Sequence, residues 1–233
     1  MSKDLTKNVC AGALIAIGLC FSGYFIYRGI SNYAAKDRAV SVKGLSTREV
    51  IADHAVWPLS YAWNGNDLPA LYGDLELVTE RVRQHLLSLG FDESDINQGS
   101  ISVTDNWDNY YSSRLPEYKY TLSTSLIVST DNVGLVVNSQ GKESDLLKEG
   151  IIVTSNSWNL DYQYNGLPEL KPSMIEEATR NARSVAQKFA EDAQCRLGSI
   201  RRASQGQFSI ENDDYRPWIK HVRVVTTVDY FLE

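Results

Sequence analysis

Histidine and cysteine are scarce in this chain, three of each among 233 residues. Cys10 and Cys20 stand in an apolar amino-terminal run, which leaves Cys195 alone in the rest of the chain and excludes an intramolecular disulfide framework there. Cys195 lies in AEDAQCRLG with Arg196 as its only adjacent cation, so it reads as a small half-buried residue rather than a reactive thiol. His54, His85 and His221 show no HExxH spacing and no paired cysteines, so no metal site is drawn from them. No GxSxG elbow occurs. Ser139-Gln140-Gly141-Lys142 fits SxxK but has no SDN or KTG companion, and Glu143 stands where a phosphate-binding loop needs Ser or Thr. Asp105 and Asp108 do not follow the calcium-loop pattern. No carboxylate pair is marked out by spacing as acid and base. The chain reads as non-enzymatic, with no cofactor and no metal.

Basic charge is also short. The net charge is −6, and the first 38 residues hold five basic side chains against two acidic ones, so the remainder reaches net −9. Such a body repels phosphate backbones and anionic headgroups, and nucleic acid is disfavoured as a partner.

What the sequence does have is a charge-free run, NVCAGALIAIGLCFSGYFIY, from Asn8 to Tyr27. As a helix, twenty residues at roughly 1.5 Å each span about 30 Å, the hydrocarbon thickness of a bilayer. Tyr24 and Tyr27 stand where an interfacial aromatic belt belongs. A cleaved signal fits less well, because Asn32-Tyr33-Ala34 and Tyr33-Ala34-Ala35 place a large residue near the cut, and Leu19 before Cys20 argues against a lipoprotein signal. The expected plan is a tail (1–7), a spanning signal-anchor (8–30, with 8–27 in the membrane), a linker (31–38) and a folded domain (39–233). Cleavage to a soluble form is the runner-up. Two basic residues before the run and three after it leave the orientation open.

The body alternates strand and helix patterns. VSVKG and Glu49–Trp63 read as strands. Leu71, Leu75, Val78, Val82, Leu86 and Leu89 set a helix with Asp67 as N-cap and Gly90 as terminator. Ser100–Thr104 and Tyr118–Thr130 read as strands, DNVGLVV opens a helix broken near Gly141, and Ile151–Tyr164 is strand-like again. Ser173-Met174-Ile175-Glu176 reads as a capping box for a helix whose stripe is Ile175, Ala178, Ala182, Val185, Phe189 and Ala193. Ser199–Ile210 and Lys220–Phe231 close the chain as strands around a polar turn. WNGNDLPAL at Trp63–Leu71 is echoed by YNGLPEL at Tyr164–Leu170. Each Asn-Gly is expected to supply a positive φ at a turn. The echo implies two βαβ-like halves, Glu49–Thr104 and Ile151–Ile210, in an α+β fold with a mostly antiparallel sheet and helices packed on it.

Aromatic residues gather among amides near these turns: Trp57 and Trp63, Trp107 and Tyr110, Trp158 and Tyr162. Trp and Tyr favour strands, so core packing accounts for most of them. An oligomer interface and a glycan contact are the alternatives, and Trp63, Trp107 and Trp158 on one exposed surface would favour the glycan.

Three stretches resemble the SIMPL-domain family of bacterial envelope proteins. VSVKGLSTREVIADHAVW carries the family's glycine at Gly44 and its aspartate at Asp53. ATRNARSVAQKFAEDAQCRLGSIRRASQGQFSI is similar to its Ala-rich helix and following strand, and KHVRVVTTVDYFLE to its closing strand. The resemblance covers about Ala39 to Glu233. It implies a non-enzymatic periplasmic domain, held at the inner membrane through residues 8–27, with an envelope-integrity or oxidative-stress role and self-assembly as expectations. It implies no catalytic residues.

Overall fold

The computed structural model describes residues 18–28, 38–108, 115–154 and 159–233. Residues 18–28 form helix α1, the described part of the apolar run. The run's first ten residues, 8–17, lie outside the described residues, among which no helix is long and apolar enough to cross a membrane.

The folded part divides into two compact units. One holds Arg48–Leu170 and Ile210–Val222; the other holds the described residues up to Thr47 together with Lys171–Ser209 and Arg223–Glu233. The larger unit is built on a six-stranded sheet of β2 (His54–Gly65), β3 (Ile96–Gln98), β4 (Ser102–Asp105), β5 (Tyr120–Thr130), β6 (Val153–Thr154) and β7 (Asp161–Gln163). β5 and β2 pair antiparallel along their whole length, from Ala55↔Thr130 to Gly65↔Tyr120. β3 and β4 flank β5, and β6 and β7 flank β2, all antiparallel.

Strand alternation explains the core. Trp57, Leu59 and Tyr61 on β2 and Leu122, Leu126 and Val128 on β5 are buried on one face. Helix α2 (Leu68–Ser88) lays Leu71, Leu75, Val78, Val82 and Leu86 into the same core, as their spacing predicts. The broken middle helix is also as expected, α3 (Val133–Ser139) and α4 (Ser144–Lys148) with a positive φ at Gly141 between them. Of Ile151–Tyr164, expected to be strand-like, the described residues form two short strands, β6 and β7, and residues 155–158 lie outside the described residues.

A second sheet, most of whose residues belong to the smaller unit, has the order β1-β10-β8, with β1 (Ala39–Ile51), β8 (Leu197–Gln205) and β10 (Ile219–Leu232). β10 pairs antiparallel with β8, and the amide of Leu232 donates to the carbonyl of Arg38 beside β1. A fourth strand, β9 (Ser209–Asn212), pairs with the start of β10. Helix α5 (Leu167–Asp192) contributes Ala182 and Ala186 to a core with Val42, Val228 and Tyr230.

Two expectations about α5 are corrected. The helix starts at Leu167, not at Ser173, and Pro172 lies inside it, so there is no capping box. Its buried side is Met174, Ala178, Ala182, Ala186 and Ala190, a narrower line of small residues than expected; Val185 and Phe189 are exposed. The cause is Gly44: a Cβ there would overlap the carbonyl oxygen of Ala178 and come within 2.5 Å of the Ala182 nitrogen. Helix and strand backbones touch, and only alanine fits between them.

The repeat is corrected as well. The first half is a crossover: β2 and β3 are both antiparallel to β5, so they run parallel with β5 between them. In the second half β7 belongs to one sheet and β8 to the other, so no βαβ unit forms. Positive φ occurs at Gly90, Gly141 and Gly150 but not at Gly65 or Gly166. Those two glycines serve closeness instead. A Cβ would stand 3.1 Å from Leu71 in the first case and 2.8 Å from the Tyr164 hydroxyl in the second.

Candidate functional site

The aromatic residues named from the sequence separate into different environments. Trp57 and Tyr162 are core residues, contrary to a surface role, because the two-residue period of β2 turns Trp57 under α2 with Leu59 and Tyr61. Trp57 lies 6.0 Å from Phe91 between ring centroids, and Tyr162 meets Trp218 edge-on at 6.3 Å. Burial pushes the Tyr162 phenol up to about 12, and its hydroxyl finds no partner among the described residues. Tyr110 and Trp158 lie outside the described residues.

Trp63 and Trp107 remain; Trp63 lines a pocket, whereas Trp107 is not among that pocket's lining residues and meets Asp105, Pro116 and Lys119. Trp63 is the last aromatic on the inner face of β2 and only half-buried, beyond the end of the β6 pairing at Tyr61↔Val153. There a pocket of about 240 Å³ opens, lined by Ala62, Trp63, Asn64, Tyr118, Gly150 and Ile152. Tyr118 is 43 % exposed and Trp107 42 %.

Amides set this surface. The Thr121 hydroxyl donates to Asn64 Oδ1 at 2.8 Å, and Asn106 Nδ2 donates to the same hydroxyl oxygen at 2.9 Å and to the Tyr118 carbonyl at 3.0 Å. Asn66 Oδ1 accepts the Lys119 amide at 2.8 Å, and Trp107 Nε1 donates to the Pro116 carbonyl at 3.2 Å. The Lys119 ammonium stands 4.9 Å from the Tyr120 centroid, 5.5 Å from that of Trp107 and 3.9 Å from Asp105 Oδ2. Tyr120, and less strongly Asp105, holds its pKa above the usual lysine value. The first Asn-Gly, expected as a turn, is instead the paired end of β2 and frames an aromatic surface. Sequence reading missed Tyr118 and Ile152 as site residues, placing each only within a strand-like run.

The second Asn-Gly stretch has a different use. The Asp53 carboxylate accepts the amide of Asn165 at 2.8 and 2.9 Å and that of Gly166 at 2.8 Å, immediately before α5. Asp53 thus supplies the negative end group that a helix start favours.

A second side-chain line was invisible in the sequence. His54 Nδ1 is 2.7 Å from Asp131 Oδ1, and its Nε2 is 3.1 Å from Ser129 Oγ. The β2–β5 register places these residues together from 75 and 77 positions apart. The order Ser-His-Asp is that of an acyl-transfer triad, but the Asp131 side chain is 90 % exposed rather than buried behind the imidazole. In water such a pair orients weakly, and the line works as a cross-strand tie. His221 meets Asp213 at 3.4 Å elsewhere in this unit, and His85 lies on α2. Among the described residues no group of three or more His, Cys, Asp or Glu could hold a metal ion.

No curated protein matches the chain. The family model named SIMPL, described as a protein of unknown function (DUF541), matches residues 40–221. That match takes in β1 with Gly44, the Asp53 clamp and the whole Ala-rich helix packed on Gly44, and by it the chain belongs to the SIMPL family.

Proposed function

We propose that this is a non-enzymatic envelope protein, anchored in the inner membrane through residues 8–27 with its folded part in the periplasm, that assembles with copies of itself in an envelope-integrity or stress-related role. The observation that carries assembly is β8. It is an edge of the β1-β10-β8 sheet, and seven of its nine residues, Ser199 to Gln205, are exposed on both faces. An edge of that length offers unpaired backbone groups to another strand. Only Arg201 and Arg202 on it carry the charge that discourages such pairing. The anchor rests on the twenty charge-free residues Asn8–Tyr27 and the two tyrosines near their end. Periplasmic orientation, with the amino terminus in the cytoplasm, rests on the family resemblance.

Multi-angle light scattering on the full chain in detergent tests assembly. A particle of several protein masses is expected, and Ile200→Pro, which removes a donor from the exposed strand, should shift it toward the monomer. A strict monomer at high concentration would sink the reading. Protease accessibility in spheroplasts tests the orientation: the folded part should be cut from outside.

A further inference from the structure

We propose that the pocket beside the end of β2 is a binding site for a neutral pyranose ring of a polysaccharide. Trp63 and Tyr118 give the pocket two aromatic walls, the surface against which the flat C–H face of a sugar stacks. Asn64 supplies the polar contact. Its Oδ1 is occupied by the Thr121 hydroxyl, which fixes the carboxamide and turns its two N–H donors toward other acceptors, such as a sugar hydroxyl. Gly150 and Ile152 complete the wall where β2 continues past β6. At about 240 Å³ the space suits one ring and little more.

Charge decides the ligand class. None of the six lining residues is ionisable except the Tyr118 phenol. Lys119, next to the lining residue Tyr118, is engaged by Tyr120, Trp107 and Asp105 rather than presented to an anion. An acidic ligand would find no counter-charge, and a basic one no carboxylate in the lining. A neutral, hydroxyl-rich ring uses all three features: aromatic face, oriented amide and absence of charge. An extended peptide, by contrast, would draw on backbone pairing and side-chain sockets, and this shallow pocket offers one recess.

The experiment is saturation-transfer NMR on the full chain in a sugar-free zwitterionic detergent, with cellotetraose, maltotetraose and chitotetraose as probes and a proline-rich decapeptide as comparator. At least one oligosaccharide should receive saturation at its ring C–H protons and titrate to a plateau. Asn64→Ala and Tyr118→Ala, both at exposed side chains, should each weaken that binding at least about fivefold while the melting temperature holds. Trp63→Ala should abolish it; because Trp63 also packs on the core, its variant counts only if its near-ultraviolet circular dichroism is native. No plateau with any of the three sugars overturns the proposal, as does binding that both exposed-site variants leave unchanged. Saturable binding of the decapeptide alone would replace the sugar with a peptide.

Discussion

Asp53 and Gly166, 113 positions apart, are joined by a carboxylate–amide hydrogen bond of 2.8 Å, and the same carboxylate takes the amide of Asn165. The helix start at Leu167 therefore depends on a residue from the β1–β2 turn. Asp53→Ala removes the acceptor from two backbone donors and should cost about 1–2 kcal/mol in urea unfolding. Asp53→Asn should recover part of this, since one amide oxygen can still accept. Equal loss in both variants would show that charge, not hydrogen bonding, carries the effect.

Gly44 tolerates no side chain. Its would-be Cβ meets backbone atoms of Ala178 and Ala182, which cannot rotate away, so Gly44→Ala must push α5 off the sheet. A loss of about 3 kcal/mol is expected by thermal or chemical unfolding. Gly73→Ala, on α2 with nothing within 4 Å of its Cβ, is the control and should stabilise by a few tenths to about 1 kcal/mol.

Tyr162 carries a buried hydroxyl without a partner among the described residues. Tyr162→Phe should raise stability by about 1 kcal/mol at neutral pH. The phenol ionises near 10 when unfolded and near 12 when folded, so the unfolded chain releases its proton first. Stability should be flat below pH 10 from this group and fall between pH 10 and 12, and the Phe variant should lose that part of the decline.

Asp213 behaves in the opposite sense. The amides of Tyr215 and Arg216 hold its carboxyl down to about 2, against 3.8 for a free aspartate. Its contribution is complete above pH 4 and disappears as the pH falls toward 2. Acid unfolding of Asp213→Ala should be shallower in that window than that of the parent; coincident acid curves would remove the role.

Legibility followed the range of the interactions. Helix α2 was readable because Leu71, Leu75, Val78, Val82 and Leu86 obey a local period and the sheet accepts them in that order. In α5 the same reasoning chose Val185 and Phe189, because nothing local announces that Gly44 will draw the backbone too close for large side chains. The start of α5 was misplaced for a similar reason, its cap being Asp53 rather than a neighbour. The aromatic surface was half legible. Trp63 stood out by type, but Tyr118, Asn64 and Ile152 join it only through the pairing of β2 with β5 and β6. The tie from His54 to Ser129 and Asp131 is a product of register alone.

The strand order β1-β10-β8 has a consequence for biogenesis. β10 is the middle strand, yet it leaves the ribosome after both of its neighbours. Until it arrives, β1 and β8 have no shared partner, and α5, already made, has only half a sheet to cover. A nascent or translocating chain must therefore keep two lone strands from pairing with strangers for the time needed to synthesise β9 and the turn after it. In this protein the order of manufacture, more than the final stability, sets the moment of greatest risk of misassembly.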